Sequence, residues 1–124
     1  ARVLRRMRNP SIALFERFEH IFKQASGKVQ KEQYLVPYVI AAFPGCTPKQ
    51  ADAVGAWLQR RGQRLAQVQT FTALPGTVAA AMQLAERDEK GHRLFIADLR
   101  ERRRQKKILL GKKTVKKPTK RNRK

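Results

Sequence analysis

The first clear pattern along the chain is an amphipathic stretch close to its start. Its apolar side chains recur at helical spacing, at Leu14, Phe15, Phe18, Ile21, Phe22 and Ala25. Asn9-Pro10 suits the start of a helix, because Asn can cap free amides and Pro fits the first turn. Gly27 suits its end. The pattern therefore predicts a helix over about residues 10–26.

Two later segments have the composition of β-strands. Residues 34–43 are almost continuously apolar and rich in β-branched and aromatic side chains, which is typical of a strand buried on both faces of a parallel sheet. Pro37 predicts an irregularity in the first half of this strand, since it cannot donate a ladder hydrogen bond. A second strand is predicted from Arg64 to about Thr72, with side chains that alternate between two faces.

Capping signals predict the helix that connects these two strands. Thr47 and Gln50 have the spacing of a capping box, in which each side chain binds a backbone amide at the start of the helix. Pro48 stands at the first helical position, where it is tolerated. Gly62 suits the C-terminal end of this helix, which we therefore expect to span the whole connection.

The remaining elements follow from two further caps. Thr77 predicts a helix from about Val78 to Glu89, and Asp98 predicts a charged helix over about residues 99–110. Residues 112–124 contain almost no apolar side chain and are expected to be disordered. The sequence thus divides into an α/β part, residues 1–98, and a basic helix with a tail, residues 99–124.

The order helix, strand, helix, strand, helix predicts the α/β class. A strand–helix–strand connection of this length is normally a right-handed crossover between parallel strands, and alternating units build an α/β sheet or barrel. Two parallel strands do not form a stable sheet by themselves, because both are edges with partly uncovered faces. We therefore expect the missing neighbours to come from a longer parent protein or from a partner chain.

Charge is concentrated at the C-terminal end. The net charge of the chain is +20, and residues 100–124 contribute +13 of it through 14 basic residues and one acidic residue. Such a segment attracts polyanions by releasing their counterions, so nonspecific contact with nucleic acid is expected. The alternative is a solubilising terminus without a dedicated partner, since the segment lacks base-stacking aromatics. The expected phosphate contacts are Arg102, Arg103, Arg104, Lys106, Lys107, Lys112, Lys113, Lys116 and Lys117.

Other classes of function find little support in the composition. The single cysteine, Cys46, excludes a disulfide within the chain and favours a cytoplasmic location. No apolar run reaches the ~18–20 residues of a membrane span, and the basic tail lacks the apolar face of an interfacial helix. His20 and His92 have no second histidine or cysteine at ligand spacing, so surface histidines are favoured over metal ligands.

Two segments carry a resemblance to a known family. They are KEQYLVPYVIAAFPGC, residues 31–46, and LAQVQTFTALPGTVAAAM, residues 65–82. In this order and at this separation they resemble the closing part of the catalytic barrel in YgiQ-type radical SAM proteins. The resemblance covers about residues 3–82, and more loosely the basic end. It implies that the chain is a partial (β/α) barrel from the C-terminal part of such a protein.

The resemblance also implies a chemistry that this chain does not complete. The parent enzyme would hold a 4Fe–4S cluster on a CxxxCxxC motif and cleave S-adenosylmethionine to a radical. Cys46 is alone and cannot supply three thiolates, so we expect no cofactor to be ligated by this chain by itself. The expected partner is the missing N-terminal barrel part of the parent, which would carry the cluster. Without it, the chain is expected to be inactive.

The resemblance assigns cofactor-binding residues to the two strand segments. One face of each barrel strand points into the lumen, and Gln67, Gln69 and Phe71 would there help to bind the adenine part of S-adenosylmethionine. The alternative is a set of ordinary residues in an open sheet. Pro44 and Gly45 follow the first strand at its C-terminal end, where α/β sheets place ligands. For the isolated chain, a plain strand-to-helix turn is the preferred interpretation of these two residues.

Overall fold

The computed structural model describes residues 2–111, and Ala1 and residues 112–124 lie outside the description. The expected disorder of the tail falls on the residues outside it. Within residues 2–111, helices and two short strands follow one another in this order: α1 (Arg2–Arg6), α2 (Ile12–Lys28), β1 (Ile40–Ala41), α3 (Pro48–Arg60), β2 (Gln69–Thr70), α4 (Val78–Ala85) and α5 (Leu99–Leu109).

The centre of the fold is a small parallel sheet. β1 and β2 lie side by side, with Ile40 opposite Gln69 and Ala41 opposite Thr70. Because α3 connects them, the predicted parallel strand–helix–strand unit is confirmed, and the structure is consistent with the α/β class. Over the described residues the sheet has two strands and does not close on itself.

Both strands are much shorter than the sequence predicts. The expected strand over residues 34–43 is wrong for its first part, because Tyr34, Val36 and Tyr38 are 74%, 81% and 74% exposed and only Ile40–Ala41 forms a ladder. Pro37 cannot donate to a neighbour, and the described part of the chain offers no strand on this edge. An apolar composition thus marks residues that are suited to burial but remain uncovered here.

One core lies between the sheet and the helices on its first face. Ala41 of β1 and Val68, just before β2, pack there against Leu58 of α3 and Leu109 of α5. Side chains that alternate along a strand point to opposite faces, so Val68 falls on the helix side, as the sequence pattern predicts. This core fixes α3 and α5 on the same side of the sheet.

A second core lies on the opposite face. Its centre is an edge-to-face contact between Phe43 and Phe71, whose ring centroids are 5.2 Å apart. Met82 of α4 and Leu94 of the following loop complete the cluster. Val3 of α1 also packs against this cluster. The sequence pattern did not predict the helix α1.

The helix ends follow local capping chemistry. The hydroxyl of Thr47 accepts a hydrogen bond from the amide of Gln50 at 3.4 Å, and the Gln50 side chain accepts one from the Thr47 amide at 2.9 Å. The predicted capping box is therefore confirmed. α4 ends at Ala85 rather than at Glu89, because Glu86 adopts a left-handed conformation with φ of 53° that a helix cannot continue.

Helix α2 is attached to the body by few contacts. Phe15 meets Trp57 edge-on at 6.1 Å, and the Arg61 guanidinium lies 4.7 Å from the centre of the same indole ring while it pairs with Glu19. The predicted helix is present, but its apolar face is largely uncovered. The side chains that remain more than half exposed on this face are Leu14, Phe18 and Ile21.

Helix α5 packs closely against α3. A side chain at Gly55 of α3 would meet Ile108, because a Cβ placed there would lie 2.6 Å from the Ile108 Cγ2. One guanidinium nitrogen of Arg104, Nη2, contacts both carboxylate oxygens of Asp52, at 2.7 and 2.9 Å. The first part of the basic end, helix α5, therefore packs against the α/β part of the chain.

We predict that Leu109→Ala lowers the free energy of unfolding by about 2–4 kcal/mol, because the substitution leaves a cavity in the first core. Leu99→Ala in the same helix is the matched control, since Leu99 is 64% exposed whereas Leu109 is 5% exposed. We expect the control to change stability by less than about 0.5 kcal/mol. Urea denaturation followed by circular dichroism measures both, and equal effects would contradict the docking of α5.

Candidate functional site

The candidate site is a shallow depression on the face of the sheet opposite α3 and α5. Its volume is about 240 Å³. Ile40 and Phe43 line it from the β1 side, and Gln69, Phe71 and Thr72 line it from the β2 side. The parallel pairing brings these side chains together, because strand ends that point the same way place their following residues side by side.

Gln69 supplies the polar group of this depression. Its side-chain oxygen accepts a hydrogen bond from the Tyr38 hydroxyl. The side-chain nitrogen of Gln69 has no hydrogen-bond partner among residues 2–111 and is therefore the donor that a ligand would meet. Phe71 lies beside it and is buried against Phe43, so the floor of the depression is aromatic.

The structure separates Gln67 from the other two residues assigned to this strand. Gln67 is exposed and precedes the ladder, whereas Gln69 and Phe71 both line the depression. Alternation between faces holds only where the backbone is extended as a strand, and β2 is two residues long. Two of the three predicted residues therefore share one site in this structure.

Pro44 and Gly45 are covered by other parts of the chain. Gly45 donates its N–H to the carbonyl of Phe95 at 2.8 Å, and its φ of 82° is one that glycine adopts without strain. A Cβ at this position would lie 2.7 Å from the guanidinium of Arg6. The two residues form a buried strand-to-helix turn and do not line the depression.

A second depression adjoins the first on the same face. It has a volume of about 440 Å³ and shares Ile40 and Phe43 with its neighbour. Arg6 and Arg8, from the end of α1, stand on its rim. Arg8 is held 2.7 Å from Glu89, so part of this positive charge is already neutralised. The open face of the sheet thus combines an apolar floor with a basic border.

The sequence reasoning missed Gln105, the residue that fixes the turn after β1. Its side chain is 0% exposed. The side-chain oxygen accepts the amide of Ala42 at 3.0 Å, and the side-chain nitrogen donates to the carbonyl of Cys46 at 3.2 Å. One signal was available in the sequence, because Gln105 lies one helical turn before the apolar Leu109 and therefore on the same face of α5.

Cys46 follows this turn and is partly buried. Burial raises the pKa of the Cys46 thiol above its ordinary value, and the negative charge of Glu101 raises the pKa further. The thiol therefore ionises less readily than an ordinary cysteine. Among residues 2–111 there is no group of three His, Cys, Asp or Glu side chains that could hold a metal ion.

The two histidines lie at the surface. His20 is within 3.1 Å of the Gln24 side chain on α2, and His92 is 3.3 Å from Asp88 in the loop after α4. Each ring therefore has a partner close to it in sequence. Neither belongs to a cluster of ligating side chains in the part of the chain that the structure describes.

The residues expected to bind phosphates fall into three groups. Arg102 and Arg104 are engaged within the fold, since Arg102 donates to the carbonyl of Phe71 and Arg104 pairs with Asp52. Arg103 and Lys106 are exposed, and Lys107 is half-buried. The residues that lie outside the described part of the chain are Lys112, Lys113, Lys116 and Lys117. None of the helices in residues 2–111 has the length and apolarity that a membrane crossing needs.

Comparison with known proteins identifies relatives for about two thirds of the chain. A UPF0313 protein of Geobacter sulfurreducens is 40% identical over 82 residues, which is 66% of this chain and 14% of the relative. A UPF0313 protein of Pseudomonas aeruginosa is 43% identical over 79 residues, 64% of this chain and 11% of the relative. A third, from Methanocella arvoryzae, is 37% identical over 76 residues, 61% of this chain and 13% of the relative.

These relatives belong to one family, and UPF0313 is the YgiQ-type radical SAM group that the sequence resembles. The chain spans only about a tenth to a seventh of the length of the relatives it matches. No family model matches the chain, and no solved structure matches it.

We predict that Gln105→Leu destabilises the fold by on the order of 2 kcal/mol or more, because it leaves the Ala42 amide and the Cys46 carbonyl buried without partners. Hydrogen exchange should show faster exchange of the Ala42 amide than in the unmodified chain. Gln59→Leu, at an exposed position of α3, is the matched control and should leave this exchange unchanged. An unaltered Ala42 amide in Gln105→Leu would contradict the bridging role.

We also predict that Cys46 reacts with iodoacetamide over a higher pH range in the folded chain than in denaturant. The folded-state pKa is raised, so the unfolded thiol ionises first and stability falls as pH rises through the unfolded value of about 8.5. The rate of alkylation against pH gives the midpoint in each state. The Glu101→Gln variant should move the folded midpoint downward, and a folded midpoint at or below the unfolded one would refute the assignment.

Proposed function

We propose that this chain is part of a YgiQ-type radical SAM iron–sulfur protein, in which it forms one segment of a (β/α) barrel wall and one side of the S-adenosylmethionine site. One observation carries the proposal. The two segments that resemble the family, residues 31–46 and 65–82, contain the two strands that pair in parallel. The UPF0313 relatives support the same assignment from identity over about 80 residues.

The uncovered apolar surface supports a larger parent. Phe18 and Ile21 on α2 are more than half exposed, and Val36 and Tyr38 before β1 are more exposed still. Soluble monomers rarely leave contiguous apolar surface of this kind open to water. We propose that the N-terminal barrel part of the parent protein covers this surface and continues the sheet beyond β1 and β2, whose outer edges are unpaired within residues 2–111.

The chemistry of the depression suits a nucleoside. Phe71 and Phe43 offer an aromatic floor, and the Gln69 amide offers a donor beside it. In this proposal Gln69 orients the adenine part of S-adenosylmethionine and Phe71 excludes water from its face. The bound sulfonium would supply the radical chemistry. In this proposal Pro44 and Gly45 form the turn that ends β1 and do not touch the cofactor, because both are buried.

The iron–sulfur cluster does not fit the residues of this chain. Three thiolates are needed, and the chain has one cysteine, Cys46, whose pKa is raised. We therefore assign the cluster to the part of the parent that lies outside this chain. Within the proposal, the described residues bind and position the cofactor and supply no ligand to iron.

A chimaeric protein tests this proposal. The matched segment of the Pseudomonas aeruginosa relative is replaced by the corresponding residues of this chain, and the product is reconstituted anaerobically with iron and sulfide. We expect cluster absorbance equal to that of the unmodified relative, because the cluster ligands lie outside the exchanged segment. A relative that binds a cluster while its chimaera does not would contradict the equivalence of the two segments. A relative that binds none would contradict the radical SAM assignment.

The same chimaera locates the adenine contact. We predict that Gln69→Ala weakens the binding of S-adenosylmethionine by about tenfold, the loss expected when one hydrogen bond of roughly 1.4 kcal/mol is removed. Gln67→Ala is the matched control, since Gln67 lies outside the depression, and it should leave the affinity unchanged. Isothermal titration measures both affinities. Equal losses, or a loss with Gln67→Ala alone, would refute the assigned role of Gln69.

A further inference from the structure

The basic residues of α5 divide between two faces of the helix. Arg102 and Arg104 point toward the body, where one donates to the Phe71 carbonyl and the other pairs with Asp52. Arg100, Arg103 and Lys106 are exposed instead. Because the first two are already engaged, only the outward residues have their charge available to a partner.

The outward residues form a continuous stripe. Arg100, Arg103 and Lys106 follow one another at steps of three residues, and the half-buried Lys107 lies four residues after Arg103, which places them on one side of an α-helix. At 1.5 Å per residue the stripe is about 10 Å long. A duplex presents one phosphate per strand about every 3.4 Å along its axis, so the stripe matches about three consecutive phosphates.

The acidic groups near the stripe are engaged elsewhere. Glu101 accepts hydrogen bonds from Arg104 and Gln105, and Asp98 caps the start of the helix through the amide of Glu101 at 2.7 Å. Asp52 is occupied by Arg104. No ion pair neutralises Arg100, Arg103 or Lys106 among residues 2–111.

We propose that this α5 stripe, made of Arg100, Arg103, Lys106 and Lys107, binds the phosphate backbone of nucleic acid without reading its sequence. Among residues 2–111 no ion pair holds these side chains in a fixed position against base edges, so the expected contacts are electrostatic. A membrane surface is disfavoured, because α5 turns Leu109 into the core and exposes a single large apolar side chain, Leu99, which is too little for an apolar face. Arg102 and Arg104 take no part, so the proposed phosphate contacts on α5 are fewer than the sequence predicts.

The test compares two triple variants of the full chain with the same net charge. One carries Arg100→Gln, Arg103→Gln and Lys106→Gln. The control carries Arg17→Gln, Lys49→Gln and Lys90→Gln, at exposed positions on other elements. Fluorescence anisotropy measures binding to short duplex DNA and to duplex RNA of the same sequence over a range of salt, so the two arms also distinguish the kind of duplex.

We expect the stripe variant to bind at least about tenfold more weakly at low salt. The slope of log affinity against log salt is negative, and its magnitude should fall by about 2–3, since each lost phosphate contact contributes about 0.9. The control variant should keep a slope within about 1 of the unmodified chain. A variant with Arg100→Lys and Arg103→Lys should retain binding, because it keeps the charge.

Four results would overturn the proposal. Equal losses in both triple variants would mean that binding follows net charge and not a surface. An unchanged affinity in the stripe variant would assign binding to other residues. Stronger binding to phosphatidylserine vesicles than to either duplex, lost in the stripe variant, would identify a membrane surface. Circular dichroism of each variant checks that α5 is intact, and loss of binding in the lysine variant would likewise count against a purely electrostatic surface.

Discussion

The structure depends on the buried side-chain amide of Gln105, which joins α5 to the turn after β1. Gln105 satisfies the amide of Ala42 and the carbonyl of Cys46, two backbone groups that would otherwise be buried without partners. The same helix holds the other strand, because Arg102 donates to the carbonyl of Phe71. One helix thus fixes the C-terminal ends of both strands, and the depression between Phe43 and Phe71 keeps its shape through contacts made on the far side of the sheet.

The two proposed activities lie on opposite sides of this sheet. α3 and α5 cover the face that carries Ala41 and Val68, whereas Gln69 and Phe71 line the depression on the other face. The stripe on α5 lies largely outward, since Arg100, Arg103 and Lys106 are exposed and Lys107 is half-buried. A nucleic acid on the proposed stripe would therefore bind at the outer surface of α5 and not in the proposed cofactor depression.

The sequence predicts what is decided locally and misses what is decided at a distance. Thr47, Thr77 and Asp98 cap their helices through amides three residues away, so these helix starts can be read from the chain. The strands depend on neighbours, and residues 34–39 have strand composition without a strand to pair with. Likewise Gln69 and Phe71 share a face through alternation, but nothing local shows that Gln105 will reach a turn about 60 residues earlier in the chain.

Gly55 determines how closely α3 and α5 pack. The absence of a side chain there sets how near α5 approaches α3, since Ile108 occupies the space that a Cβ would fill. The separation between the two helices determines in turn how far the amide of Gln105 must reach. Gly55 has no functional group and lies away from the open face of the sheet. Its small size nevertheless sets the position of Gln105, and through Gln105 the geometry of the depression.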